Sequence, residues 1–269
     1  MMAMVQLFSY LEDLVSIAFP EVCNACGSAL HKHEKIICNQ CKVKLPYTNF
    51  HLEPDNQIEK IFWGRVPMEK AASYLYFHKG NRVQNLMHRF KYKGKKEIGT
   101  LLGKMYGTEL LQNLYFNDAD MIIPVPLHPD KERKRGYNQS QYFAEGLSLA
   151  MGVPHRNDIL IRAIASSTQT RKNRFERWQN VESIFKIADY NALLNKHIIL
   201  VDDVVTTGAT IEACANTLMN ASPKKISFLS LACAIKLIKK KKRPKDRFLQ
   251  FLKNITRWYL FFPSRQFSS

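Results

Sequence analysis

Two carboxylates, three threonines and a glycine fall within one short stretch, Asp202-Asp203-Val204-Val205-Thr206-Thr207-Gly208-Ala209-Thr210. The apolar run Ile198-Ile199-Leu200-Val201 precedes it and an apolar helical pattern follows. A loop at the carboxyl end of a buried parallel strand is where open α/β sheets bind ligands. The threonines supply hydroxyl donors. Gly208 permits a tight turn and a close backbone approach. The free N–H groups at the start of the next helix suit a phosphate dianion. Two adjacent carboxylates match two neighbouring hydroxyls, as on a ribose ring. Helix capping alone accounts for one Asp or Thr, not for this whole set.

Two further segments carry cations. Ile123-Pro124-Val125-Pro126-Leu127-His128 runs into Arg133-Lys134-Arg135-Gly136-Tyr137-Asn138-Gln139. A cationic loop after a strand, here with Pro126, Leu127 and Arg135, offers a pyrophosphate site, since guanidinium forks match phosphate oxygens. A solvated basic loop is the plainer alternative. The second segment, Thr168 to Val181, includes Arg171 and Lys172 and is long and polar. Such a connection is either a lid over a site or an exposed arm.

Cys23, Cys26, Cys38 and Cys41 form two CxxC pairs. Each pair can turn two thiolates toward one ion, and two pairs complete a tetrahedral zinc site. Four thiolates leave no open position, so the metal expected here is structural. The alternative is two redox pairs or free thiols. His31 and His33 are expected in solvent, and Cys214 and Cys233 in the core.

These groups need elements to hold them. Apolar spacing over residues 4–19 predicts a helix ended by Pro20, and residues 42–66 read as irregular with a strand near Ile61–Trp63. Strands are expected at 71–77, 120–125, 159–164, 198–201 and 225–234. Helices are expected at 80–90, 96–115, 139–151 and 209–220. Alternation of the two predicts a parallel sheet flanked by helices.

The motifs, in their order along the chain, resemble the ComF family of phosphoribosyltransferase-like proteins. Those that carry the resemblance are the two CxxC pairs, Phe90-Lys91-Tyr92-Lys93-Gly94, Pro124-Val125-Pro126, Arg135-Gly136-Tyr137-Asn138-Gln139, the Thr168–Val181 arm and the Asp202–Thr210 loop. The resemblance implies an α/β, type I phosphoribosyltransferase fold with a small N-terminal four-cysteine zinc module. The chain is then expected to hold three regions: residues 1–50 as N-terminal helix and zinc-ribbon-like module, 51–235 as phosphoribosyltransferase-like domain, and 236–269 as a basic aromatic C-terminal tail. The resemblance implies phosphoribosyl diphosphate (PRPP) as ligand, with Mg²⁺. Asp202 and Asp203 would bind the ribose hydroxyls, and Val204 through Thr210 would line the pocket and hold the 5′-phosphate. Competence, DNA uptake, single-stranded DNA and replication-restart proteins are the implied biological setting. Kinship to amidophosphoribosyltransferases is also implied, but 269 residues leave no room for a glutaminase domain. Glutamine-dependent amination is therefore not expected.

The charge is uneven. Net charge is +17, and Lys236–Ser269 alone holds eleven Lys or Arg against one Asp. With Phe248, Phe251, Trp258 and Tyr259, this tail suits single-stranded nucleic acid, an anionic membrane surface, or no partner at all. No apolar run reaches a membrane span and no signal peptide is recognisable, so a reduced, cytoplasmic protein is expected.

Overall fold

The computed structural model describes residues 20–78, 80–162 and 184–234. The expected N-terminal helix, the Thr168–Val181 arm with Arg171 and Lys172, and the basic tail lie outside the described residues. The chain divides into a unit spanning Met1–Ala234 and a second, Ile235–Ser269.

The first described element is α1 (Asn39–Val43), which follows the second CxxC turn. Next comes α2 (Glu59–Phe62), where the sequence suggested a strand near Ile61–Trp63. Ile58 and Phe62 are buried one helical turn apart. Asn56 caps them, its Oδ1 accepting the Ile58 and Glu59 N–H groups at 2.8 and 3.2 Å. So short an apolar run cannot display its period, and the cap decided the outcome.

Strand β1 (Ala71–Tyr76) leads to α3 (Arg82–Tyr92) and α4 (Glu97–Leu110). Strand β2 (Met121–Pro124) leads to α5 (Pro129–Arg135) and α6 (Gln139–Met151). The expected cationic loop is thus largely a helix. Pro129 sits in its first turn with Asp130 and Glu132, three basic residues fill its last turn, and Gly136 ends it at φ 78°. That arrangement complements the helix dipole at both ends.

Strands β3 (Leu160–Arg162) and β4 (Phe185–Ile187) pair antiparallel, apart from the main sheet, so the segment expected at 159–164 joins a hairpin-like pair instead. Strand β5 (His197–Val205), helix α7 (Ala209–Met219) and strand β6 (Lys225–Cys233) complete the order.

The main sheet is parallel throughout, in the order β1-β6-β5-β2. Strand β5 has a neighbour on each side. Ile198, Ile199, Leu200 and Val201 are fully buried, as an apolar run covered on both sheet faces must be. Helices α4 and α6 approach closely through glycines. A Cβ on Gly146 would stand 2.3 Å from the Thr100 carbonyl oxygen. Gly103 and Gly146 face each other there, so the two helix backbones pack directly together. Cys214 and Cys233 are core residues, while His31 and His33 are exposed.

Candidate phosphoribosyl site and cysteine module

The carboxyl ends of β5 and β2 lie side by side, the Val125 N–H donating to the Val201 carbonyl at 2.8 Å. The next two residues on β5 are Asp202 and Asp203. Asp202 meets the start of α6, where Ser140 Oγ donates to its Oδ1 at 2.9 Å. The same oxygen accepts the Asp203 N–H at 2.8 Å. Asp203 meets the end of α3, with Lys91 Nζ 2.7 Å from its Oδ2. Burial and the neighbouring Asp203 carboxylate push the Asp202 carboxyl up to about 7.

A cleft of about 170 Å³ opens in front of the acids. It brings together Asp202, Asp203, Thr210, Pro126, Leu127 and Arg135, all expected from sequence. It also draws in Lys91, which the sequence placed in a motif without a role, and Lys131, Ser140 and Arg162, which sequence reasoning did not single out. Arg135 Nη1 donates to Gln139 Oε1 at 2.7 Å, and its guanidinium lies 5.6 Å from the centre of the Tyr92 ring. Arg162 reaches the cleft from β3. The result is two carboxylates at one end and three cations, Lys131, Arg135 and Arg162, around the rest.

Thr206, Thr207, Ala209 and Thr210 are exposed at the start of α7. Of that group, only Thr210 lines the cleft. Val204 and Val205 belong to β5. The Val205 side chain is buried and its carbonyl accepts the Ala234 N–H at 3.0 Å, so this side chain serves the core. Gly208 adopts φ +75° as the N-cap of α7. Its missing side chain makes room for another residue: a Cβ there would stand 2.6 Å from Ile61 Cγ2 and 3.0 Å from Phe62 Cε1. Arg65 braces the same loop, donating to the Thr207 carbonyl at 2.8 Å and pairing with Glu212. The loop is thus anchored by α2 and by Arg65 just beyond it, leaving its threonines outward. Gly208→Ala combines left-handed backbone strain with this clash. It should lower stability by about 1–3 kcal/mol, read as a fall of several degrees in Tm. An unchanged Tm would show that α2 does not hold the loop.

The four thiols of Cys23, Cys26, Cys38 and Cys41 all lie within 4.8 Å of one another. Cys26 and Cys38 Sγ are 3.9 Å apart. A tetrahedron with Zn–S bonds of about 2.3 Å has edges of about 3.8 Å, so the cluster fits zinc. Backbone N–H groups point at the sulfurs: Ala25 and Cys38 donate to Cys23 Sγ at 3.4 and 3.3 Å, and Cys41 donates to Cys38 Sγ at 3.4 Å. These bonds favour thiolates, as a zinc site requires. Glu34 closes the loop between the pairs by accepting the His31 and Asn39 N–H groups at 3.1 and 2.7 Å.

Among the described residues no helix is long and apolar enough to cross a membrane. The family model for the phosphoribosyl transferase domain matches residues 141–262. The chain is 27% identical over 201 residues to the DNA utilization protein YhgH of Shigella flexneri, covering 74% of this chain and 84% of that one. It is 26% identical over 224 residues to competence protein F of Haemophilus influenzae, covering 79% and 96%. It is 28% identical over 201 residues to competence protein ComFC of Bacillus subtilis, covering 74% and 78%. With a parallel sheet flanked by helices, an acid pair at the end of its central strand and a four-cysteine cluster ahead of it, the chain is similar to the ComF and YhgH competence and DNA utilization proteins and carries a match to the phosphoribosyl transferase domain.

Proposed function

We propose that the cleft binds PRPP and that the chain transfers its 5-phosphoribosyl group to an acceptor, releasing pyrophosphate. The observation that carries this reading is the polarity of the cleft: Asp202 and Asp203 at the strand end, with Lys131, Arg135 and Arg162 around it. The ribose 2- and 3-hydroxyls donate to Asp202 and Asp203. Thr206, Thr207, Thr210 and the first-turn N–H groups of α7 hold the 5′-phosphate. Pro126 and Leu127 shape the wall beside the diphosphate, and Arg135 neutralises it. Arg171 and Lys172, from the arm, are proposed to close over it.

As the bond from the anomeric carbon to pyrophosphate breaks, positive charge grows on the sugar and negative charge on the leaving group. The carboxylates face the first and the cations face the second, so the site opposes each charge where it develops. Mg²⁺ fits this hard oxygen donor set and, when bound with PRPP, neutralises diphosphate charge. The cysteine module is proposed to hold one structural zinc. We propose residues 1–50 as an N-terminal helix and that module, 51–235 as the phosphoribosyltransferase-like domain and 236–269 as a basic aromatic tail.

The names of the relatives, DNA utilization and competence proteins, favour a second reading. In it the cleft binds PRPP for regulation while the basic tail engages single-stranded DNA or an anionic surface. Pyrophosphate release from PRPP, assayed across amine, base and alcohol acceptors, decides between them. Release that depends on both protein and acceptor is expected for the transferase. Saturable PRPP binding without release supports the second reading. Absence of binding contradicts both.

A further inference from the structure

One helix touches both the cysteine module and the acid pair. Near its start, Asn85 of α3 donates Nδ2–H to the Ala25 carbonyl at 2.9 Å, inside the first CxxC turn. One turn on, Arg89 Nη1 reaches Asn24 Oδ1 at 3.5 Å. Asn24 is itself pinned, its Nδ2 donating to the Ile36 carbonyl at 2.8 Å just before the second cysteine pair. At the far end Lys91 pairs with Asp203.

A second branch leaves the same end. The Phe90 carbonyl accepts the Tyr137 hydroxyl. The next residue, Asn138, caps α6 by accepting the Ser140 N–H at 3.1 Å and donates to the Val125 carbonyl at 2.9 Å. Ser140 in turn holds Asp202. Both carboxylates are therefore positioned from α3, Asp203 directly and Asp202 through α6. Asn85 and Lys91 are six residues apart, about 9 Å along a rigid helix.

We infer that α3 couples the cysteine module to the phosphoribosyl pocket, with Asn85 as a positioning residue that sets Lys91 and, through it, the acid pair. The inference rests on the ligand reading above. Lys91 cancels one of two negative charges enclosed at the strand end. A helix that slips on the CxxC turn withdraws that charge and lets the acids repel each other. A purely structural Asn85 would hold the module in place without reference to Lys91.

A double-mutant cycle on the full, zinc-loaded chain separates the two, with Mg²⁺–PRPP affinity measured by calorimetry and zinc content by metal analysis. Asn85→Ala should weaken binding about 5- to 10-fold in the native background and leave it unchanged in Lys91→Met. An effect of equal size in both backgrounds, or none in either, would overturn the coupling. Should the native chain not bind PRPP at all, the ligand reading fails and amide hydrogen exchange judges the coupling. Asn85→Ala with native zinc content should then exchange faster at Asp202–Val204. Unchanged exchange there would overturn it.

Discussion

Asp202→Asn should stabilise the folded protein while destroying the affinity that the residue serves. Its carboxyl is pushed up to about 7 by burial and by Asp203, whereas the same group in an unfolded chain titrates near 4. Between those values the folded state holds a proton that the unfolded state has released. Stability therefore falls as pH rises from about 4 to about 7, then levels. The Asn variant lacks this penalty and keeps an oxygen to accept from Ser140. Its advantage should be absent near pH 4 and reach on the order of 1–3 kcal/mol above pH 7, read as a higher Tm. Hydrogen bonds to charged groups contribute about 1.5–3 kcal/mol each, so Asp202→Asn with Asp203→Asn should weaken PRPP binding at least about 100-fold. A residue retained only for stability would show the reverse, and a less stable Asp202→Asn at pH 8 would refute the assignment.

Cysteine replacement is expected to have the larger structural effect. Cys41 is buried and belongs to the four-thiol cluster. Besides the cysteines, the apolar side chains buried between Cys23 and Cys41 are Ala25 and Ile37, so a metal is the natural source of their order. Structural zinc contributes about 10–16 kcal/mol of apparent binding energy in small zinc-folded peptides. Cys41→Ser should therefore carry well under one zinc per chain and lose amide protection across residues 21–43. Native protein should carry one equivalent, and chelation should lower its Tm. A native chain purified without metal and unaffected by chelator would refute the zinc assignment.

How much of this was legible in the sequence depended on contiguity. Ile198 to Thr210 is one unbroken segment, and its run of apolar residues, acids and threonines announces strand, turn and helix together. The cysteine cluster was legible for a similar reason, because paired spacing fixes which thiols can meet. The cleft's remaining residues come from distant elements. Lys91 ends α3, Ser140 opens α6 and Arg162 ends β3. Nothing in a local pattern places a lysine 2.7 Å from a carboxylate more than a hundred residues away. The Phe90–Gly94 motif contained Lys91, but only the packing of α3 gave it a partner. Two local readings failed where competing signals were short. At α2, the Asn56 cap outweighed an apolar triplet that had suggested a strand. At α5, Pro129 and the ordered charges made a helix of what looked like a basic loop. The pairing of β3 with β4 could not be seen because their partners lie on either side of a long polar insertion.

Calorimetric titration of the full chain with PRPP in Mg²⁺ tests the pocket most directly. One saturable site per chain is expected, competed by pyrophosphate and abolished in the Asp202→Asn/Asp203→Asn variant. No heat of binding, or equal binding by that variant, would contradict a phosphoribosyl site at the end of β5.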